Sequence, residues 1–465
     1  MLKRFSYDEY LPDLPRTLGG GKNAWPMAVG YRPVNAFSAI TPALSGLLGG
    51  AAYVSSSGTS TLLAGTATDL YRYSGTAWGS ILGSLSATTW RFDQFGDLVI
   101  AVNGAAPVKV DLAGTAAPLG GSPPVSDLVA TVRQQVFLAG DPSARNTLSI
   151  SGYNDSEGWT AGDNQCLIVP FPTGGDIMGL CGGETGLILQ KRSIKRATYT
   201  GDVTVWQFDE IASDIGCMAK GSVAQAGQLV FFLSEQGFKV CDRNTVQAIG
   251  QEKVDRTFFS KYSRSDIDKI SAAVDPRSTT VSWAMPGNPG DIWHYNWTLG
   301  KWGLPIETPL TLVFSGFTAN IGIDALASLY PLIDGVPYPI DAAKFRGGNP
   351  LFLVADNSGA VGALSGENMS AQFVLSPDEP QIGNRVRIRG ARAVCDATVG
   401  TVTIDARARA GDPPSAVISG AIRDNGRVPL RANGRHIGIT HDVPAGQQWS
   451  YAAGIDLEFE VSGSR

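Results

Sequence analysis

QLVFFLSEQGFKVCD, residues 228–242, places one apolar-rich run before a short polar turn carrying a glycine and a second apolar run after it. Two such runs folded about a turn are the pattern of an antiparallel β-hairpin. The same design recurs along the chain. It is seen in STLLAGTATDLYRYSGTAW from Ser60, DLVIAVNGAAPVKVDL from Asp97, QQVFLAGDPSARNTLSISG from Gln134 and GLILQKRSIKRATYTG from Gly186. Beyond residue 242 it returns in TTVSWAMPGNPGDIWHYNW from Thr279 and PLFLVADNSGAVGAL from Pro350. Successive starts lie 37, 37, 52, 42, 51 and 71 residues apart, centred near the roughly 40–50 residues of a four-stranded propeller blade. A lone hairpin cannot bury its apolar face, so the repeats must stack around an axis. The expected fold is all-β, a propeller of five to seven blades over residues 49–365, with an insertion in the longest gap, 305–348.

Residues 1–48 carry Pro12, Pro15, Pro26, Pro33 and Pro42 and a Gly19–Gly20–Gly21 run, with little two-residue alternation. They read as an extended N-terminal arm, too poor in apolar area to fold alone and therefore lying along its own body or a neighbour. Its expected anchors are Trp25, Tyr31 and Phe37. From residue 366 the texture changes to SAQFVLS, RVRIRGARAVCDA, GTVTIDARARAG, HIGITHDV and GIDLEFEVSG, with clean alternation and turns at Pro377, Gly400, Gly411 and Asn425–Gly426. Period two over four or five strands predicts a C-terminal β-sandwich over 366–465. The one helical pattern is VDRTFFSKYSRSDIDKI, residues 254–270, expected to form one or two short helices between blades.

Composition agrees. Fifty-six glycines and 27 prolines with only 17% charged residues suit many short strands joined by turns, and 43% hydrophobic residues can fill sizeable cores. Forty-two acids against 37 bases give a net charge of −5, so no general attraction to nucleic acid or to acidic membranes is expected. The opening MLKRFSYDEYLPDLP has no apolar core and does not read as a secretory signal. No apolar run of about 18 residues predicts a spanning helix. Cys166, Cys181, Cys217, Cys241 and Cys395 never form a CxxC pair and read as reduced, buried thiols.

Several strings together resemble the tail nozzle, or tail hub, proteins of short-tailed bacteriophages. They are YLPDLP and GYRPVNAFSAIT in the arm, and WRFDQFGDLVIAVNG, DIMGLCGGETGLILQKRSIKRATYTG, VWQFDEIASDIGCMAKGSVAQAGQLVFFLSEQGFKV, IGQEKVDRTFF and HYNWTLGKW in the body. RIRGARAV and NGRHIGITHDVPAGQQWSYAAGIDLEFEVSGSR complete the set at the end. The resemblance covers most of the chain; residues 305–348 match nothing in it. It implies a virion structural protein, assembled in the host cytoplasm, whose propeller-bearing subunits form a homo-oligomeric ring, commonly a hexamer, below the portal and its adaptor ring. The implied partners are the portal-adaptor protein, tail fibre or needle proteins, and double-stranded DNA in transit through the channel. It implies no cofactor and no active site.

Candidate chemistry is sparse. His436 and His441 lie five apart, on opposite faces of a strand, which is poor metal-ligand geometry. His294 lies within IWHYNW, and no GxSxG elbow or phosphate-cradling GxxxxGK[ST] is present. Asp155, Glu157, Asp209, Glu210 and Glu235 are the acids that could pair as in a glycosidase, and SGYNDSEGWT and SEQGF are distantly similar to the Asp-box turn of sialidases; turn capping by Asp and Asn side chains explains them with less. Trp283, Trp293, Tyr295, Trp297 and Trp302 could stack on sugars or form one packed strand face. Two basic groups remain as candidate interface or DNA-facing residues: Lys191, Arg192, Lys195 and Arg196 beside one strand, and Arg385, Arg387 and Arg389 spaced by two so as to share a face. Charge-protected edge, subunit contact and DNA contact are the three readings of these groups. A carbohydrate-binding or glycan-hydrolysing propeller is the alternative to the structural role, and a cellular interaction propeller a third.

Overall fold

The computed structural model describes residues 1–56, 60–111, 113–202, 204–317, 350–423 and 425–463. Each of the seven hairpins is the central pair of a four-stranded antiparallel sheet, and the seven sheets are the blades of a propeller. Blade 1 runs from Gly49 to Leu82, blade 2 from Arg91 to Pro118, blade 3 from Leu128 to Pro170 and blade 4 from Ile177 to Ser213. Blade 5 runs from Ala224 to Ala248, and blade 6 from Ser271 to Trp302 with the extra strand Ile306–Leu310 along Gly287–Ile292. Blade 7 takes three strands, Leu312–Phe317, Pro350–Ala355 and Val361–Asn368, from its own region. Its fourth is Asn35–Ala39, from the N-terminal segment.

Two-sided burial explains why the hairpins are continuously apolar rather than alternating. In blade 2, Val99 and Ala101 pack toward blade 1, while Ile100 and Val102 between them pack toward blade 3. Every junction has an apolar core, that between blades 5 and 6 being continuous with the core of the C-terminal residues. The last of them, Leu312, Phe314 and Leu353 against Leu44, Leu47 and Ala64, returns blade 7 to blade 1 and closes the circle. The uneven spacing of the hairpins comes from connections: a long excursion at 151–166 within blade 3, and the helices Asp255–Lys261 and Arg264–Ile267 between blades 5 and 6. Residues 306–317, expected within an insertion, are instead two regular strands, because their apolar residues Ile306, Leu310 and Val313 fill the core between blades 6 and 7. The rest of that gap, 318–349, lies outside the described residues.

The C-terminal body is a sandwich of two sheets. One is built on the long strands Arg385–Cys395 and Ala452–Gly463, the other on Ala371–Asp378, His436–Val443, Thr401–Arg407 and Ala416–Ala421. Both take strands from the N-terminal segment. Leu2–Ser6 pairs with Ala452–Gly463, Ala24–Pro26 and Tyr31–Pro33 extend the same sheet, and Leu18–Lys22 pairs with Ala371–Asp378. The three-glycine run belongs here: a Cβ on Gly21, whose φ is +128°, would lie 2.1 Å from the Gln372 carbonyl oxygen, a position open only to glycine. The first 48 residues are thus not a separate unit; their backbone hydrogen bonds are shared between sandwich and propeller.

Side chains of this segment fuse the two bodies into one core. Tyr7 stacks on Phe373 at 4.6 Å between ring centres, and its hydroxyl bonds His441 Nδ1 at 3.0 Å. Tyr31 is fully buried and donates to the Trp302 carbonyl at 3.3 Å, and Tyr10 packs on Trp293. Asp13 caps the helix Asp255–Lys261, accepting from the Arg256 and Thr257 amides at 2.8 and 2.9 Å. Trp25 packs on His294 at 4.3 Å.

Removal of residues 1–48 should therefore abolish cooperative unfolding rather than trim a tail, since it takes one strand from blade 7 and four from the sandwich; near-ultraviolet circular dichroism during urea unfolding measures this. A second expectation concerns His441. Burial lowers its pKa from 6.5 to about 4, so the folded state binds fewer protons than the unfolded chain between those values. Stability from neutral His441 is full above pH 6.5 and is lost as pH falls toward 4, by about 3 kcal/mol. His441→Asn, which keeps an acceptor for Tyr7 and does not titrate, should flatten that part of the stability profile relative to the parent chain.

Candidate functional site

The run KRSIKR is contiguous in sequence and dispersed in space. Lys191 and Arg192 sit in the turn between the second and third strands of blade 4, where Lys191 pairs with Asp176 at 2.8 Å and Arg192 is exposed. Lys195 and Arg196 follow on the third strand, Ser193–Tyr199, and alternate to its two faces. Lys195 is buried, pairs with Glu210 at 2.6 Å and lies over the Phe171 ring. Arg196 goes the other way, toward blade 5, donating to Asn244 Oδ1 at 2.6 Å and pairing with Asp209 at 3.2 Å. These four residues do not make one patch.

Arg385, Arg387 and Arg389 do share a surface. On Arg385–Cys395 the buried residues Val386 and Ile388 alternate with the exposed arginines. A register shift beside Arg389 leaves it within reach of Glu460 at 2.5 Å. Adjacent strands extend the surface with residues that the sequence pattern did not single out. Arg4 faces Asp456, Asp456 faces Arg392, and Arg392 faces Arg427, four strands in one row. Arg4 grips Asp456 through two bonds of 2.7 and 3.0 Å, and Arg427 pairs with Glu458. The side chains of Arg385, Arg387 and Arg392 have no ion pair or hydrogen bond among the described residues. The face is a ladder of guanidinium groups divided by a column of carboxylates, Asp456, Glu458 and Glu460. The whole stretch 366–465 contains eleven arginines and no lysine, a choice that favours planar, bidentate contacts over diffuse charge.

Four of the five carboxylates weighed for glycan chemistry are engaged, and the fifth, Glu235, is exposed with no side-chain hydrogen bond or ion pair among the described residues. Glu157 accepts from Lys109 and the Gly120 amide, Asp155 from the Glu157 amide, and Asp209 and Glu210 are paired as above. Lys109 and Lys195 hold Glu157 and Glu210 below the usual carboxylate range, whereas for Asp209 the largest cause of lowering is the Gln207 side chain, followed by Arg196. Trp283, Trp293 and Trp302 are fully buried with Phe231, Phe238 and Phe258, and Trp283 and Trp302 donate to the Ser222 and Ile249 carbonyls at 2.9 and 2.8 Å. They form core, not a platform. His294 is buried between Trp25 and Gly303, with its pKa pushed down to about 3 by burial, and His436 and His441 take different environments, the first near Glu379 at 3.3 Å. Among the described residues no cluster of His, Cys, Asp and Glu could hold a metal ion. All five cysteines are free, four of them buried.

A crevice of about 480 Å³ lies between blades 4 and 5, lined in part by Thr185, Arg196, Thr198, Arg243 and Asn244. Arg243 stands alone between acidic Asp242 and Asn244 in sequence, and nothing in the one-dimensional pattern pairs it with Arg196, 47 positions earlier. Only the stacking of blades does so.

No protein-family model matches this chain, and no curated protein matches it. Solved structures similar to it include the extracellular domain of the putative one-component system BT4673 from B. thetaiotaomicron. That structure is 8% identical with a TM-score of 0.42, over 76% of this chain and 42% of that one. A structure of U3-55K is 9% identical with a TM-score of 0.40, over 60% of this chain and 89% of that one. The RRP9 WD40 repeats are also 9% identical, with a TM-score of 0.41, over 61% and 88%. The chain spans less than half the length of the first of these. The assignment as a seven-bladed propeller rests on the strand order described above. Among the described residues no helix is long and apolar enough to cross a membrane.

The two basic groups should separate by stability. Replacing Arg385, Arg387 and Arg392 together by Gln should shift unfolding by no more than about 0.5 kcal/mol, as for exposed residues without partners. Lys195→Ala should cost about 1–2 kcal/mol, mainly through lost packing of its buried stem against Phe171. Equilibrium urea unfolding measures both.

Proposed function

We propose that this chain is a structural subunit of a short-tailed bacteriophage tail. In this reading several copies, commonly six, form a ring-shaped nozzle below the portal and adaptor. The ring extends the DNA channel, retains packaged DNA and passes it during ejection, while its rim holds tail fibre or needle proteins. The sequence resemblance supplies the class.

The observation that carries the reading is the locking of the two bodies by residues 1–48. A wall segment that bears the load of confined DNA needs a propeller and a sandwich that cannot swing apart. Here one segment contributes strands to both, with Tyr7, Tyr10 and Tyr31 buried where they meet. The guanidinium–carboxylate face of the sandwich supports protein contact over DNA contact, because Asp456, Glu458 and Glu460 run through its middle and repel phosphate. No catalytic role is assigned. The alternative, a carbohydrate-binding or glycan-hydrolysing propeller, asks for an exposed aromatic platform beside free carboxylates, whereas Trp283, Trp293 and Trp302 are core and Glu157, Asp209 and Glu210 are ion-paired.

Negative-stain microscopy and mass photometry of the purified chain test this. Rings with an open centre, at a multiple of the 48.9 kDa subunit mass, are expected. A particle that stays monomeric at every concentration, alone and with the portal-adaptor ring, overturns the reading.

A further inference from the structure

We propose that the crevice between blades 4 and 5 is a binding site for a single oxyanion, a carboxylate or phosphate group. The inference starts from Arg243. Only 4% of this residue is exposed, yet among the described residues no carboxylate lies within ion-pairing distance of its guanidinium. Its Nη atoms donate to the backbone carbonyls of Gly182, at 2.6 Å, and Thr185, while Nε has no partner. Neutral carbonyls satisfy hydrogen bonds but do not cancel charge, and a cation withdrawn from water without a counter-charge is costly.

The backbone emphasises the point. Arg243 has φ of +70°, in the left-handed region that glycine and asparagine occupy more cheaply. Asn244 follows directly, so the turn places its arginine in the strained position rather than the residue better suited to it.

A second guanidinium faces the same space. Arg196 lines the crevice, and its Nε is also buried without a partner. The Thr198 hydroxyl, beside it on the blade 4 strand, makes no hydrogen bond among the described residues, and the Thr185 hydroxyl accepts only a long bond of 3.4 Å from Arg243. The unused polar capacity is thus dominated by donors: two Nε–H groups and two hydroxyls from two blades. Two guanidinium groups and two hydroxyls in one lining match the several acceptor oxygens of a carboxylate or phosphate.

Asp242 also lines the crevice, and it sets the size of the charge. Its carboxylate accepts from the Asn244 and Thr245 amides at 3.0 and 2.7 Å and from the Thr245 hydroxyl at 3.1 Å, bonds that hold its pKa below the usual range. Ionised and turned to its own loop, it offsets one arginine, as Asp209 offsets part of Arg196. With Asp209 on Arg196 and Asp242 beside Arg243, the lining carries two cations and two carboxylates, so what it offers an oxyanion is unused hydrogen-bond donors rather than net charge, which suits one small group and disfavours a polyphosphate chain. The group can arrive as a free ion or on a macromolecule; the chemistry recognised is the same.

Isothermal titration and thermal unfolding of the full chain, at matched ionic strength in sodium chloride, decide the matter with three probes: inorganic phosphate, acetate and a hexaglutamate peptide. Saturable binding of at least one probe is expected; binding of only the peptide points to a group carried by another protein, and binding of the small ions to a free ligand. Arg196→Gln and Thr198→Val should each weaken it, the first by about tenfold or more, while Arg192→Gln, outside the crevice, leaves it unchanged. These variants are chosen because Arg243→Gln removes the bonds to Gly182 and Thr185 and can unfold the turn. Absence of saturable binding to all three probes, or equal binding by the Arg196 and Thr198 variants, overturns the proposal.

Discussion

The pairing of Asn35–Ala39 with Val361–Asn368 joins a strand from near the start of the chain to one more than three hundred residues later. A propeller blade is stable only when both faces are covered, so a blade lacking its outer strand would weaken the junctions on either side. Closing the circle with an N-terminal strand makes blade 7, and the junctions on either side of it, depend on one long-range contact. The same segment continues the constraint outward. Before it reaches blade 7 it has already supplied Leu2–Ser6, Leu18–Lys22, Ala24–Pro26 and Tyr31–Pro33 to the sandwich, so ring closure and attachment of the second body draw on the same segment.

That coupling gives physical content to the proposed structural role. The junction is a dense aromatic core in which Tyr7, Tyr31, Phe373, Trp293 and Trp302 interlock. Hinge motion would expose these rings and strand their hydroxyl and indole bonds. Among the described residues the outward features include a charge-laddered sheet on the sandwich and the crevice between blades 4 and 5.

Much of this was legible along the chain, and the reason is local. The seven hairpins were recognisable because both strands and the turn of each lie within about twenty residues, and because two-faced burial demands unbroken apolar runs such as LVFFL. The sandwich strands were legible through the complementary pattern, alternation with one wet face, and RVRIRG displayed its outward arginines directly. Short-range periodicity misled where it met a polar or irregular stretch. Residues 306–317 and the proline-rich first 48 looked unlike strands because their partners, not their own sequences, complete the burial. KRSIKR looked like a patch because adjacency in sequence was read as adjacency in space, whereas the pleat sends Lys195 and Arg196 to opposite blades.

The repeat, the all-β class, the change of texture at residue 366 and the exposed arginine face are written into the order of residues, since each follows from spacing within one strand or hairpin. Tertiary structure alone decided that the blades number seven, that the arm is the seventh blade's missing strand and part of both sandwich sheets, and that Arg196 shares a crevice with Arg243. Those outcomes depend on contacts between residues tens to hundreds of positions apart. Their formation is governed by which apolar faces remain uncovered once the local elements exist, a quantity that no single stretch of sequence contains.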